Sequence, residues 1–248
     1  MKRVVLKVSG GSLKGENIKY NLDLERIRAV CEDVKNLREA SLEVIIVVGG
    51  GNFWRGRNGH DIDRVLSDHI GMLGTISNAL ILANKLNEMG VKAEAMSSLY
   101  VESIIPRYEV FKAREALANG KVVVLGAGTG LPYFSTDMAV IQRARELKAD
   151  TILLGKSPAG VYSKDPNKYK DAKKYDELSS LELLKIHISN GVNELAVMDF
   201  AAEAVACQYE GDIYVFDTKD SSFIKAIKNN NLDKYAKENF TIIKPNKY

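Results

Sequence analysis

Two rhythms of apolar residues alternate along the chain. Short unbroken runs rich in Val, Ile and Leu stand at 4–8 (broken only by Lys7), 44–48, 121–125 and 151–154. Runs of that length bounded by polar or glycine residues read as strands buried on both faces. Shorter strand signals stand at 92–96, 212–216 and 240–243. Between the strands, apolar residues recur every three or four positions. Leu24, Ile27, Val30, Cys31, Val34 and Leu37 follow Asp23 in this way and predict an amphipathic helix with Cys31 as core filler. The same spacing predicts helices over 68–89, 110–117, 137–147, 180–185, 199–209 and 222–228, with a polar loop reaching to about Tyr175. Gly90 stands where a helix C-terminus favours glycine. Strands alternating with amphipathic helices predict an α/β fold: a three-layer αβα sandwich around a mostly parallel sheet. Neither a repeat nor a Pro/Gly/Ser-rich linker divides the chain, so residues 1–248 read as one domain.

In such a sheet, ligands sit outside the carboxyl ends of the strands. Three predicted strands end there in glycine: Gly10-Gly11 after Val8, Gly49-Gly50-Gly51 after Val48, and Gly126-Ala127-Gly128-Thr129-Gly130 after Leu125. Glycine lets the backbone approach a ligand closely, and a helix N-terminus behind it favours phosphate. Two common phosphate motifs are excluded. G-x-G-x-x-G fails because its last glycine falls on Trp54 in one loop and on Leu131 in another. Gly155-Lys156-Ser157 ends like a Walker A loop, but the first glycine of that motif would be Asp150.

Charge sharpens this picture. Lys7 near the end of the first strand, Arg55 after the triple glycine and Lys156 after the 151–154 strand converge if their strands are neighbours, and would clamp a phosphoryl group in transfer. A lysine in a buried strand needs an anion. Asp68, Asp137, Asp165 and Asp199 stand at predicted helix starts or loops near the same edge. An aspartate at a helix start commonly serves as an N-cap, and one of the four could hold Mg²⁺ together with substrate phosphates. His60, His69 and His187 show no ligand spacing and read as incidental. No nucleophile–base pair stands out, which suits direct phosphoryl transfer. Gly71 and Gly74 weaken the start of the 68–89 helix and imply a close approach there, to a ligand or to a partner subunit.

Composition narrows the class. The 248 residues are 46% hydrophobic and 27% charged, and Lys+Arg 35 against Asp+Glu 32 gives +3. That excess is too small to argue for nucleic acid or an anionic membrane. The basic stretches at 164–174 and after Lys219 read as solvated faces. Cys31 and Cys207 are too few and too far apart for a disulfide framework or a cysteine zinc site. The apolar run at the start is too short for a signal peptide, and no segment approaches the roughly 20 residues a bilayer requires. The expectation is a cytoplasmic protein.

Several stretches resemble a known family. Leu6-Lys7-Val8-Ser9-Gly10 and Val47-Val48-Gly49-Gly50-Gly51-Asn52-Phe53-Trp54-Arg55-Gly56 are similar to the amino acid kinase fold. Asp68-His69-Ile70-Gly71-Met72-Leu73-Gly74-Thr75 with Asn78, and Gly128-Thr129-Gly130-Leu131-Pro132-Tyr133-Phe134-Ser135-Thr136-Asp137, narrow it. Val161-Tyr162, Asp165-Pro166 and Val197-Met198-Asp199 complete the order. Together they resemble the bacterial-type UMP kinases over essentially the whole chain.

The resemblance implies transfer of the γ-phosphoryl group of Mg-ATP to UMP, giving UDP and ADP, with Mg²⁺ carried on the ATP phosphates and no separate metal site. It implies ATP contacts from Lys7, Val8, Ser9, Gly10, Gly51, Arg55, Lys156, Tyr162 and Asp165. It implies UMP contacts from Gly50, from Asp68 on the ribose, and from Thr129, Gly130, Leu131, Pro132, Tyr133, Phe134, Ser135 and Thr136. Lys7, Arg55, Asp137, Asp199 and Lys156 would form the catalytic set. The part of the chain before about residue 150 would serve mainly the acceptor, and the part after it mainly ATP. The family is typically a homohexamer, commonly activated by GTP and inhibited by UTP. Pro158-Ala159 stands where relatives often carry an acidic residue, and residues 14–21 lack the glycine-phenylalanine-glycine pattern linked with GTP activation. The alternative readings are a non-catalytic nucleotide-binding, storage or regulatory protein on the same fold, or a kinase of the same family with another small acceptor.

Overall fold

The computed structural model describes residues 2–15, 21–55, 61–191, 197–218, 221–232, 235 and 239–246. Strand β1 (Arg3–Val8) leads through a 3-10 turn at Gly10–Leu13 to helix α1 (Leu24–Glu39) and strand β2 (Glu43–Val48). Helix α2 (Arg64–Glu88), β3 (Ala93–Ser97), α3 (Val110–Ala118) and β4 (Val122–Gly126) follow. Next come α4 (Thr136–Glu146), β5 (Thr151–Lys156), a hairpin of β6 (Val161–Tyr162) and β7 (Lys174–Tyr175), and β8 (Glu177–Ser179). The chain continues with α5 (Ser180–Asn190), α6 (Phe200–Ala206), β9 (Asp212–Asp217), α7 (Ser222–Lys228) and β10 (Phe240–Lys244).

Eight strands form one sheet in the order β3-β4-β2-β1-β5-β9-β10-β8. Neighbours are parallel from β3 through β9, and β10 runs antiparallel to β9. One apolar core lies on the α1, α2 and α7 side, and a second on the side of α3 to α6. This is the expected αβα sandwich. From β1 the chain fills the β2, β4, β3 side first, then returns to place β5 on the other flank of β1. The topological switch point therefore lies between β1 and β5, where open sheets of this kind bind ligands.

The elements depart from the sequence reading in three places. Helix α2 starts at Arg64 rather than 68, because Asp63 caps it by accepting from the N–H groups of Val65 and Leu66. Asp68 thus lies one turn inside the helix, not at its start. Helix α5 runs on to Asn190 behind a Ser179/Glu182 capping box, and the polar loop before it contains the β6–β7 hairpin. Helix α2 is also long and apolar enough by length and composition to cross a bilayer, contrary to the expectation that no segment is. Here it is a core helix: Met72, Ile76, Ala79, Leu82 and Leu86 are buried on the sheet. Gly56, His60, Lys219 and most of the 14–21 stretch lie outside the described residues.

The first two glycine loops touch. A Cβ on Gly10 would stand 2.5 Å from the Gly51 nitrogen and 2.6 Å from both the Gly49 carbonyl and Asn52 Oδ1. Backbone cannot yield as a flexible side chain can. Gly10→Ala is therefore expected to lower stability by about 2 kcal/mol through overpacking, read as a reduced urea midpoint. An unchanged midpoint would show that the two loops are not in close contact.

Candidate active site

The pleat of β1 decides where its lysine goes. Val4, Leu6 and Val8 enter the α1–α2 core, and Val5 enters the α4 core. Lys7 shares the Val5 face by the two-residue period of a strand. Helix α4 crosses β2, β1 and β5 on that face. Its N-cap is Ser135, whose hydroxyl accepts from the Met138 N–H, so Asp137 stands in the first turn with its side chain not used as the cap. Lys156 closes β5 beside it.

These three side chains form an ion cluster. Lys7 Nζ lies 2.5 Å from Asp137 Oδ1, and Lys156 Nζ lies 3.3 Å from Oδ2. Lys7 is thus the nearer of the two ammonium partners of this carboxylate. Burial acts to raise the Asp137 carboxyl, but the charges of Lys7 and Lys156 outweigh it and hold the group below the ordinary carboxylate range. Burial pulls Lys156 below the usual lysine value, with Asp137 opposing and Lys7 adding to the fall. Two ammonium groups on one carboxylate leave one positive charge uncompensated at the sheet edge. That arrangement attracts phosphate oxygens.

The glycine loops are locked around this cluster. Gly49 N–H donates to the Val8 carbonyl at 2.8 Å. Asn52 and Asn78 form a reciprocal amide pair at 3.0 and 2.8 Å, and Asn78 also donates to the Gly49 carbonyl at 2.7 Å. A Cβ on Gly50 would lie 2.5 Å from the Gly71 carbonyl, and one on Gly74 would lie 3.0 Å from Phe53 Cβ. Gly74 thus admits this chain's own Gly50–Trp54 turn, whereas a Cβ on Gly71 would meet nothing nearer than Trp54 at 3.9 Å. The Arg55 side chain reaches over Gly51 and Gly11 and so bridges the loops of β1 and β2. Lys7, Lys156 and Arg55 therefore gather at one edge, as expected from neighbouring strands.

On the β4 side, Thr129, Gly130, Leu131, Pro132, Tyr133 and Phe134 form a loop with Leu131, Tyr133 and Phe134 exposed. Ala127, Gly128, Gly130 and Tyr133 have positive φ. Buried Arg143 braces this loop from below, donating to Ser98 Oγ at 2.9 Å and the Gly128 carbonyl at 3.2 Å, with Glu146 as its ion partner at 2.6 Å. Asp68 reaches the same loop and accepts from the Tyr133 N–H at 2.8 Å.

On the β5 side, a pocket lies between the β5–β6 segment and α5, walled by Pro158, Val161, Tyr162, Leu183 and Ile186. Asp165 does not line it; its carboxylate accepts from the Asn167 N–H at 2.9 Å. Asp199 caps α6 by accepting from Ala202 N–H at 3.1 Å and also accepts from the Ser135 hydroxyl. It thus stands one residue pair away from the lysine cluster and ties the α6 cap to the α4 cap. His187 is not incidental. Its Nδ1 lies 2.7 Å from Glu203 Oε2 in a buried pair beside the pocket. Burial pushes Glu203 up to about 7, against the pull of His187. Nothing in the spacing of these two residues announced the pair. The Ser135 cap was visible as Ser-Thr before Asp137, whereas Arg143 carried no signal.

Comparisons place this geometry among known proteins. The model of the amino acid kinase family matches residues 2–217. The structure of UMP kinase from Ureaplasma parvum matches at 32% identity and a TM-score of 0.86, covering 98% of each chain. UMP kinase from Bacillus anthracis matches at 31% identity and a TM-score of 0.87, covering 99% of this chain and 97% of that one. Uridylate kinase from Archaeoglobus fulgidus matches at 27% identity and a TM-score of 0.71, covering 98% and 100%.

The Asp137 cluster has a pH signature. A carboxylate held below its ordinary range contributes stability that is complete above about pH 4 and is lost as pH falls through its lowered value. Asp137→Asn has no such contribution to lose and leaves two lysines facing each other. The unfolding free energy of the variant is expected to lie about 3 kcal/mol below wild type at pH 7. The gap should narrow as pH drops below about 4. A gap that stays constant from neutral to acid pH would contradict the ion cluster.

Proposed function

The chain belongs to the amino acid kinase family, and from that footing we infer that its reaction is that of the UMP kinases: ATP + UMP gives ADP + UDP. The observation that carries this reading is the Lys7–Asp137–Lys156 cluster at the switch point, where the glycine loops converge, in a chain that matches two UMP kinases over nearly its full length.

The roles follow from charge and position. The acceptor phosphate approaches the Gly50 and Thr129–Thr136 side, and the ATP phosphates lie across Ser9, Gly10 and Gly51 toward Lys156. Lys7 and Arg55 neutralise charge on the γ-phosphoryl group as it leaves ADP and bonds to a UMP phosphate oxygen. Asp137 keeps both lysines in place and does not attack. Catalysis is then positioning and electrostatics, with no covalent intermediate on the protein. Asp199 acts through Ser135 on the α4 cap. The pocket beside Tyr162 takes the base of ATP, so the chain before about residue 150 serves mainly UMP, apart from the Ser9–Gly10 and Gly51 loops on the ATP phosphates, and the remainder serves mainly ATP.

Magnesium fits as part of the substrate. Both Asp137 oxygens face ammonium groups, a donor set suited to phosphate rather than to a metal cage. Carried on the ATP phosphates, Mg²⁺ supplies neutralisation of the leaving group. A homohexamer is the proposed assembly, with Leu66 and Leu73 on α2 offering exposed apolar surface. The proposed location is the cytoplasm.

The test is ADP formation from Mg-ATP with UMP, CMP, AMP, GMP, dUMP or acetylglutamate as acceptor. Turnover should centre on UMP; turnover with none of them, despite ATP binding, would overturn the reading. Lys7→Ala and Arg55→Ala should each lower kcat/KM at least about tenfold by removing a charge that stabilises the transition state. Asp68→Asn should raise the KM for UMP more than that for ATP. Wild-type kinetics in the first two, or an unchanged UMP KM in the third, would remove those assignments.

A further inference from the structure

Arg64 breaks two local rules of helix design. It is the first residue of α2, where the helix dipole opposes a cation. Its acidic partner lies four residues later, the weaker orientation for such a pair. Neither placement helps the helix, so the arginine needs another reason. Its contacts supply one. Arg64 Nε donates to Asp68 Oδ2 at 3.0 Å, and its guanidinium lies 5.3 Å from the Tyr133 ring centre. The Tyr133 N–H donates to the same Oδ2 at 2.8 Å.

Two donors from separate elements therefore meet on one carboxylate oxygen. Among the described residues, Oδ1 takes no donor. Tyr133 reaches this point at φ +69°, a left-handed conformation that a tyrosine adopts only when its surroundings hold it there. The clasp joins α2 to the loop after β4 and orients the carboxylate from one side only.

We propose that Arg64 and the Tyr133 N–H form a positioning clamp that pins Asp68 Oδ2 and reserves Oδ1 for the vicinal hydroxyls of the acceptor's ribose, which makes Arg64 a determinant of ribonucleotide over deoxyribonucleotide acceptors. The proposal rests on the reading that Asp68 meets the acceptor sugar. A carboxylate free to rotate would still accept a hydroxyl, but it would lose more orientation entropy in doing so. The loss then falls more heavily on UMP, whose two hydroxyls together fix the carboxylate's direction, than on dUMP, which has only one of them. Arg64 touches neither phosphate cluster nor the β5-side pocket, so the ATP site is spared as well.

The test compares steady-state kinetics of wild type, Arg64→Gln, Arg64→Lys and Asp68→Asn with UMP and with dUMP, under saturating Mg-ATP. Arg64→Gln should raise the UMP KM by about fivefold, as expected for one charge-assisted hydrogen bond lost at a half-exposed site. The dUMP KM, the ATP KM and kcat should stay within about twofold, so the UMP/dUMP preference falls with the UMP KM. Arg64→Lys keeps the charge but not the planar fork and should recover part of the preference. It also carries the test if the glutamine variant does not fold. An unchanged UMP/dUMP ratio in both arginine variants, or a parallel rise of all three KM values, overturns the clamp. Asp68→Asn separates the two claims. If it collapses the ratio while the arginine variants do not, only the clamp fails. If it too leaves the ratio intact, Asp68 does not meet the sugar, and the reading beneath the clamp fails with it.

Discussion

A buried strand cannot keep a lysine without an anion, and this fold is arranged around that constraint. Lys7 faces the α4 side of β1 because the strand's period leaves it no alternative, and Asp137 is brought over it by the first turn of α4. The same carboxylate takes Lys156 from β5. One acidic group thus joins the two strands that flank the switch point. It also leaves net positive charge at the carboxyl edge of the sheet, where phosphate oxygens can join Asp137 as partners of both lysines. The desolvation cost of holding these charges is offset only while all three are present.

The surroundings hold the cluster in place from three directions. Ser135 caps α4 and so sets the height of Asp137, and Asp199 fixes Ser135 from the α6 side. The Asn52–Asn78 pair holds the second glycine loop against α2, and the Gly50–Trp54 turn fits there because Gly50 and Gly74 carry no side chain. Arg143, stacked 4.2 Å over Tyr108, carries the loop after β4 from beneath. Each brace is a polar contact fixed by its geometry, in keeping with a site that works by orientation.

Much of this was legible in the residue pattern because the signals were local. Apolar runs marked the inner strands, and glycine after Val8, Val48 and Leu125 marked their ends. The need of Lys7 for an anion followed from its place in a buried run. What stayed hidden was set by tertiary contact. Asp68 looked like a helix start because the apolar rhythm begins near it, whereas the Asp63 cap places the true start one turn earlier. The β6–β7 hairpin is too short and polar for periodicity to register. His187 and Glu203 are far apart in sequence pattern and meet only because α5 and α6 pack together. Arg143 carries no signal until its helix is laid across β2, β1 and β5 and its guanidinium meets Ser98 and the Gly128 carbonyl. The resemblance to UMP kinases reached the acceptor side, which residue chemistry alone left open.

The central claim is that Asp137 acts by holding two lysines on the transferring phosphoryl group. The most direct measurement is single-turnover phosphoryl transfer in Asp137→Asn, alongside equilibrium binding of ATP and UMP to the same variant under conditions where it is folded. The account predicts both nucleotides bound within about fivefold of wild type and a transfer rate reduced at least about a hundredfold, because transition-state charge is left poorly matched. A transfer rate within about threefold of wild type in the folded variant would contradict it.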